Sequence, residues 1–71
     1  MVSNDQRIDW ADECVEIHAL RTNSSEEPKH QKVRDLLTNL CHLLESEGIE
    51  DVQNELNWAR LMYEIEAEED A

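Results

Sequence analysis

Apolar residues recur at helical spacing through three segments of the chain, and no segment alternates apolar and polar residues as a half-buried strand does. A polar break at residues 22–25 and Gly48, the only glycine, separate the segments. Ser3 or Asn4 stands where a residue can cap the first helix. The chain is therefore predicted to be a single small all-α domain over residues 1–71. The predicted helices lie at about 5–21, 26–47 and 51–66, and a frayed acidic C-terminus follows at 67–71.

The ends of the second helix carry recognisable capping signals. Ser24 followed three residues later by Glu27 has the form of a capping box, and Pro28 is tolerated in a first helical turn. Gly48 stands where a left-handed residue ends a helix, and Ile49 can then contact the helix behind it. We therefore expect the second helix to begin before the proline and to end at the glycine.

The second helix is predicted to be the core helix, because its apolar residues share one broad face. Those residues are Val33, Leu36, Leu37, Leu40, Cys41, Leu43 and Leu44. With a turn near Ser24 and Ser25, we expect the first two helices to form an antiparallel hairpin. The side of the first helix expected to be buried consists of Ile8, Ala11, Cys14, Val15 and His18.

The apolar residues exceed what three short helices can cover. A monomer would leave part of five large side chains in water, and contiguous apolar patches of that kind mark interfaces. A chain of 71 residues is also near the lower size limit for a self-sufficient core. We therefore predict a three-helix bundle, or a helical hairpin plus a third helix, that is completed by homodimerisation. The five side chains are Trp10, Ile17, Trp58, Leu61 and Ile65.

The charge is strongly acidic and unevenly placed. Eighteen Asp and Glu residues against six Lys and Arg give a formal net charge of −12. That field disfavours direct binding to nucleic acid or to an anionic membrane, and it favours a basic protein partner. Five carboxylates share one face of the first helix, although like charges at this spacing repel one another. We call these five the acidic row: Asp5, Asp9, Asp12, Glu13 and Glu16.

Two functional hypotheses go beyond a face that only keeps the protein in solution. In the first, the chain is an inhibitor whose acidic row mimics nucleic-acid phosphates and occludes the nucleic-acid-binding site of a basic protein. In the second, it is a helical adaptor or assembly subunit that binds a partner through Trp58, Leu61 and Ile65, and the acids only confer solubility. A protein that neutralises a basic toxin would share the electrostatics of the first hypothesis.

No catalytic constellation is visible, so we expect a protein that is not an enzyme and uses no cofactor. Cys14 and His18 share a helix face, and Cys41 and His42 follow on the next helix. Adjacent residues point about 100° apart on a helix, so Cys41 and His42 cannot bind the same ion. No metal site is therefore predicted.

The main basic cluster is Lys29, Lys32 and Arg34, and it lies among acids that include Glu26 and Glu27. Opposite charges three or four residues apart on a helix attract one another. We therefore expect these cations to pair within their own helix, which leaves no basic surface for nucleic acid.

No segment is apolar enough to span a bilayer, and the first ten residues lack the pattern of a signal peptide. Two cysteines are too few for a disulfide-rich secreted domain. A cytoplasmic location is therefore expected.

Cys14 and Cys41 are predicted to be free thiols. In the antiparallel hairpin they would lie about 9 Å apart along the helix axes, beyond the roughly 7 Å between Cα atoms that a disulfide allows. The intact mass measured without reductant should equal that of the fully reduced chain. A mass lower by one pair of hydrogens would contradict either the hairpin register or the reducing compartment.

Overall fold

Three α-helices and no strand make up the part of the chain that the computed structural model describes, residues 2–69. The predicted all-α class is confirmed. The helices are α1 (Asn4–Arg21), α2 (Lys29–Ser46) and α3 (Val52–Glu69). None of the three described helices has the continuous apolar length that a transmembrane span requires.

α1 begins at a capping box that Ser3 forms with Gln6. The Ser3 hydroxyl accepts a hydrogen bond from the Gln6 backbone N–H at 3.2 Å, and the Gln6 side chain accepts one from the Ser3 N–H at 3.0 Å. These bonds satisfy two of the backbone donors that a helix leaves unpaired at its start. Of the two caps considered from the sequence, Ser3 is the one used.

α2 begins later than predicted, because Pro28 precedes it instead of joining its first turn. Pro28 has an extended backbone, with φ −59° and ψ 149°. A proline also disfavours helical geometry in the residue before it, which is Glu27. The Glu27 N–H instead donates to the Ser24 carbonyl at 3.0 Å in a turn. The capping box predicted for Ser24 and Glu27 is therefore wrong, and so is a helix start near 26.

α2 ends as the sequence predicted. Gly48 has a φ of +86°, the left-handed region that side chains disfavour. Its N–H donates to the Glu45 carbonyl at 3.0 Å, and the Ile49 N–H donates to the Leu44 carbonyl at 3.1 Å. This pair of bonds is the Schellman motif, which satisfies carbonyls at the helix end.

α3 is longer than predicted. It continues through Ala67 and Glu68 to Glu69, so the prediction of a frayed end is wrong for these residues. Alanine and glutamate are strong helix formers, and no glycine or proline interrupts them. Residues 70–71 of the predicted frayed segment lie outside the described residues.

α2 crosses α1 instead of returning alongside it. Glu16 pairs with Lys32, and two residues further along α1, His18 contacts Asn39 at 2.7 Å. Residue numbers rise together in these pairs, whereas in an antiparallel hairpin one would fall as the other rises. The connection 22–28 can span about 23 Å, long enough to carry the chain back along α1 before α2 starts. The predicted antiparallel hairpin register is therefore wrong.

The buried interior is very small. Its apolar members in the described chain are Val15 and Ala19 of α1, and the buried residue of α2 is Lys32. The prediction that α2 is the core helix is wrong, because Leu37 and Leu40 are exposed. The reason is the crossing: α2 contacts α1 through its lysine side, which leaves the leucines outside.

The predicted buried side of α1 is only partly correct. Val15 is buried and His18 is half-buried, but Ile8, Ala11 and Cys14 are exposed. Cys14 and the half-buried Cys41 are both free thiols.

The helices enclose little volume between them. Their contacts are mainly between α1 and α2, and the molecule measures 36 × 31 × 18 Å. Its radius of gyration is 13.6 Å, against about 11 Å for a compact domain of this length. Arg7 near the start of α1 pairs with Glu66 near the end of α3, with 3.3 Å between Arg7 Nε and Glu66 Oε2. The chain is thus an extended three-helix structure.

Replacing Gly48 by alanine should lower the free energy of unfolding by about 1 kcal/mol, because a side chain disfavours the left-handed backbone. The space around the Cα is open, so no steric clash adds to this cost. Gly48→Asn is the matched control, and it should cost less, since asparagine tolerates this conformation and Asn23 adopts it here at φ 57°. Urea unfolding measures both. Equal costs for the two variants would contradict a backbone origin.

Candidate protein-interaction surface

Two members of the acidic row are engaged within the chain. The Asp12 carboxylate binds the ammonium group of Lys29, and Glu16 binds both Lys29 and Lys32. The Lys32 Nζ lies 3.0 Å from Glu16 Oε1, and the Lys32 side chain is only 9% exposed. A buried ammonium group needs such a partner, because desolvation is costly without one. Asp12 and Glu16 therefore hold α1 against α2.

The ion pairs alter the protonation of both partners. Hydrogen bonds from Lys29 and then Lys32 hold the pKa of Glu16 below its ordinary value of 4.5. Hydrogen bonds to Asp12 and then Glu16 raise the pKa of Lys29 above its ordinary value of 10.5. Both shifts favour the charged forms of Glu16 and Lys29.

The rest of the acidic row remains on the surface. Asp5, Asp9 and Glu13 are exposed, and none of them forms an ion pair with a residue of the described range. The row therefore divides into two acids that support the fold and three that face solvent. A basic partner can reach the latter three without breaking an internal contact.

The role of the basic cluster differs from the prediction. Lys29 and Lys32 pair with acids of α1, not with acids of their own helix. Sequence reasoning missed this contact, although a signal was present: Asp12 and Glu16 are four apart, and the lysines are three apart. Both spacings place charges of one sign on one helix face, so the two faces complement each other.

The apolar side chains predicted to be uncovered are exposed. Trp10 and Ile17, seven residues apart, lie on the side of α1 away from Val15; we call them the α1 stripe. Trp58, Leu61 and Ile65 lie on one face of α3, and we call them the α3 stripe. Trp58 is 57% exposed, which is high for so large an apolar ring.

A further apolar surface lies on α2, and sequence reasoning assigned it to the core. At spacings of four, three and four, its residues share one helix face. The first three are exposed and the last is half-buried. We call this surface the leucine face: Val33, Leu37, Leu40 and Leu44.

Two of the grooves in the described chain are lined by titratable or hydroxyl side chains. One, of about 330 Å³, includes His18, Thr22 and Ser24. The Ser24 and Thr22 hydroxyl groups form a hydrogen bond with each other, and the His18 Nε2 contacts Asn39. The described chain therefore has no hydrogen bond between the imidazole and either hydroxyl. This arrangement does not activate a nucleophile.

The other groove, of about 400 Å³, lies at the α1–α3 junction, between residues that include Arg7, Ile8, Tyr63 and Glu66. The Arg7 guanidinium is already paired with the Glu66 carboxylate, so the groove presents no uncompensated charge to a ligand. Among residues 2–69, no three His, Cys, Asp or Glu side chains are grouped to hold a metal ion. The exposed charges and apolar surfaces are therefore the main candidates for function.

The chain matches no protein-family model, and comparisons with curated proteins and with solved structures found no similar protein.

The ion pairs predict how stability depends on pH. The folded-state pKa of Glu16 is lowered, so its contribution is present above its ordinary pKa of 4.5 and is lost as pH falls through the lowered value. Lys29 has the opposite sign: its contribution is present below 10.5 and is lost as pH rises through the raised value. The destabilisation caused by Glu16→Gln should therefore be present at neutral pH and vanish in strong acid.

Urea midpoints of the Glu16→Gln variant and the unmodified chain, compared across pH, measure this effect. Glu13→Gln is the matched control, because it removes an exposed charge from the same helix without breaking an ion pair. A loss of stability that is the same at acid and neutral pH would contradict an electrostatic contact between α1 and α2.

Proposed function

We propose that this protein is a non-enzymatic helical interaction subunit that works in a protein complex, and that its apolar helix faces are the contact surfaces. The α1 stripe and the α3 stripe bind the partner. Homodimerisation is part of the proposal, because a core of two small apolar side chains gives little stability by itself. The function is the adaptor or assembly role, with the acids serving solubility and orientation.

The observation that carries the proposal is the excess of exposed surface. The chain exposes 5956 Å², whereas a folded monomer of 8.3 kDa is expected to expose about 4,600 Å². The difference of about 1,400 Å² exceeds the roughly 800 Å² that each partner buries in a standard protein interface. Most of the large apolar side chains contribute to it. Surface of this kind favours association with protein.

The inhibitor that mimics nucleic-acid phosphates is the second candidate. The observation that favours it is that Asp5, Asp9 and Glu13 stay exposed and outside the internal ion pairs. It ranks second because Asp12 and Glu16 are already neutralised by lysines of α2, which shortens the row available to a target. Under this candidate, the partner is a basic protein attracted over long range.

Two variants of the full chain separate the candidates. Trp58→Ala with Leu61→Ala removes the centre of the α3 stripe, and Asp5→Lys with Asp9→Lys and Glu13→Lys reverses the exposed acids. The latter set spares Asp12 and Glu16, so the contact between α1 and α2 stays intact. Each variant is used to capture partners from a lysate of the source cells, and the captured protein is quantified.

The proposal expects the α3 variant to reduce capture about tenfold or more, since aromatic anchors dominate many interfaces. It expects charge reversal to change capture little. The reverse pattern, together with a steep loss of binding as salt rises, would support the phosphate mimic instead. Capture that neither variant alters would contradict both candidates.

A further inference from the structure

The leucine face differs from the other apolar surfaces in the charges around it. Residues 29–47 carry three cations, Lys29, Lys32 and Arg34, and three acids, Asp35, Glu45 and Glu47. By contrast, four glutamates lie next to the α3 stripe or within one helical turn of its end: Glu64, Glu66, Glu68 and Glu69. Glu13 lies beside the α1 stripe. The leucine face is thus the apolar surface with the fewest carboxylates near it.

We infer that the leucine face binds the leucine face of a second copy of this chain, with the two α2 helices antiparallel across a two-fold axis between Leu37 and Leu40. This inference rests on the proposed function, in which apolar helix faces bind protein. A second copy of the chain then covers the leucine face, and the α1 and α3 stripes remain available to a different partner. A two-fold interface of this type uses the same patch on both copies.

The exposed area fits this occupant. The excess of about 1,400 Å² on each chain is enough for the roughly 800 Å² per partner that a stable interface requires. Part of that excess remains after dimerisation, and the α1 and α3 stripes stay outside this interface. Val33, Leu37 and Leu40 lie at the spacing of a helix seam, so two copies can interdigitate them.

Charge selects the face. Two copies that each carry −12 repel each other, so they meet most favourably where carboxylates are fewest. The leucine face meets this condition. Dimerisation through the α3 stripe would bring together two copies of a helix that carries five acids, Glu55, Glu64, Glu66, Glu68 and Glu69, against one cation, Arg60.

Charge also selects the antiparallel direction. The first half of α2 is basic, and Glu45 and Glu47 lie at its other end. About the proposed axis, Leu37 lies opposite Leu40 of the second copy, and Arg34 comes within one helical turn of Glu45 of the second copy. Neither Arg34 nor Glu45 forms an ion pair in the described part of the chain. A parallel pair would instead place Arg34 level with Arg34 and Glu45 level with Glu45, so these opposite charges would not meet.

Light scattering on the full chain after size exclusion tests the face. The unmodified chain should have twice its 8.3 kDa mass at micromolar concentration. Leu40→Asp should be monomeric, and Leu61→Asp should remain dimeric. Leu61→Asp is the matched control for Leu40→Asp, because Leu40 is 43% exposed and Leu61 is 45% exposed. A monomeric unmodified chain would overturn the inference, as would dissociation by Leu61→Asp with Leu40→Asp still dimeric.

A charge swap tests the direction without burying a charge in the apolar seam. Arg34→Glu or Glu45→Arg alone should weaken the dimer about tenfold, since two-fold symmetry repeats each lost pair. The double variant Arg34→Glu with Glu45→Arg should restore the dissociation constant, measured by sedimentation equilibrium. A double variant no better than the worse single variant would contradict the antiparallel pairing.

Failure of this inference differs from failure of the proposed function. A monomeric chain whose partner capture still depends on Trp58 and Leu61 refutes the leucine-face dimer alone. A dimer that dissociates as expected with Leu40→Asp, but whose partner capture ignores the α3 variant, refutes the assigned partner surface alone.

Discussion

The rest of the structure depends on the contact between α1 and α2. In this contact, lysines of α2 pair with carboxylates of α1. Lys32 is buried, as are Val15 and Ala19, and its ammonium group is compensated by Glu16. With this side of α2 turned toward α1, the leucine face points away from the only interior that the described chain possesses. Ion pairs with exposed partners contribute little stability by themselves, so we propose that this fold is stabilised further when its apolar faces are covered by another chain.

Charge and apolar area are divided among the helices. α1 carries the acidic row, part of which neutralises α2, and α3 carries an acidic end beside an apolar stripe. α2 carries half of the Lys and Arg residues of the chain, so two acidic copies would repel each other least there. We propose that self-association on α2 and partner binding on α1 and α3 are compatible, because they use different surfaces of one subunit.

The sequence predicted the features that depend on neighbouring residues. The Gly48 helix end is local and its prediction is confirmed, and the cap of α1 is Ser3, one of the two residues predicted for it. The start of α2 was wrong, because the restriction that Pro28 imposes on the residue before it outweighed a capping pattern. The orientation of α2 was also wrong: periodicity shows that Leu37 and Leu40 share a face, but not which neighbour that face meets. The acidic row and the exposed stripes can be located from the sequence. The internal role of Asp12 and Glu16 can be seen only when the packing of α2 against α1 is known.

We propose that this chain is stabilised by association through its exposed apolar faces. The most direct test is the midpoint of urea unfolding, followed by far-UV circular dichroism at chain concentrations that differ by about a hundredfold. Because unfolding of a dimer releases two chains, the midpoint should rise with concentration. A midpoint that is independent of concentration, with full helical signal in the most dilute sample, would contradict the claim.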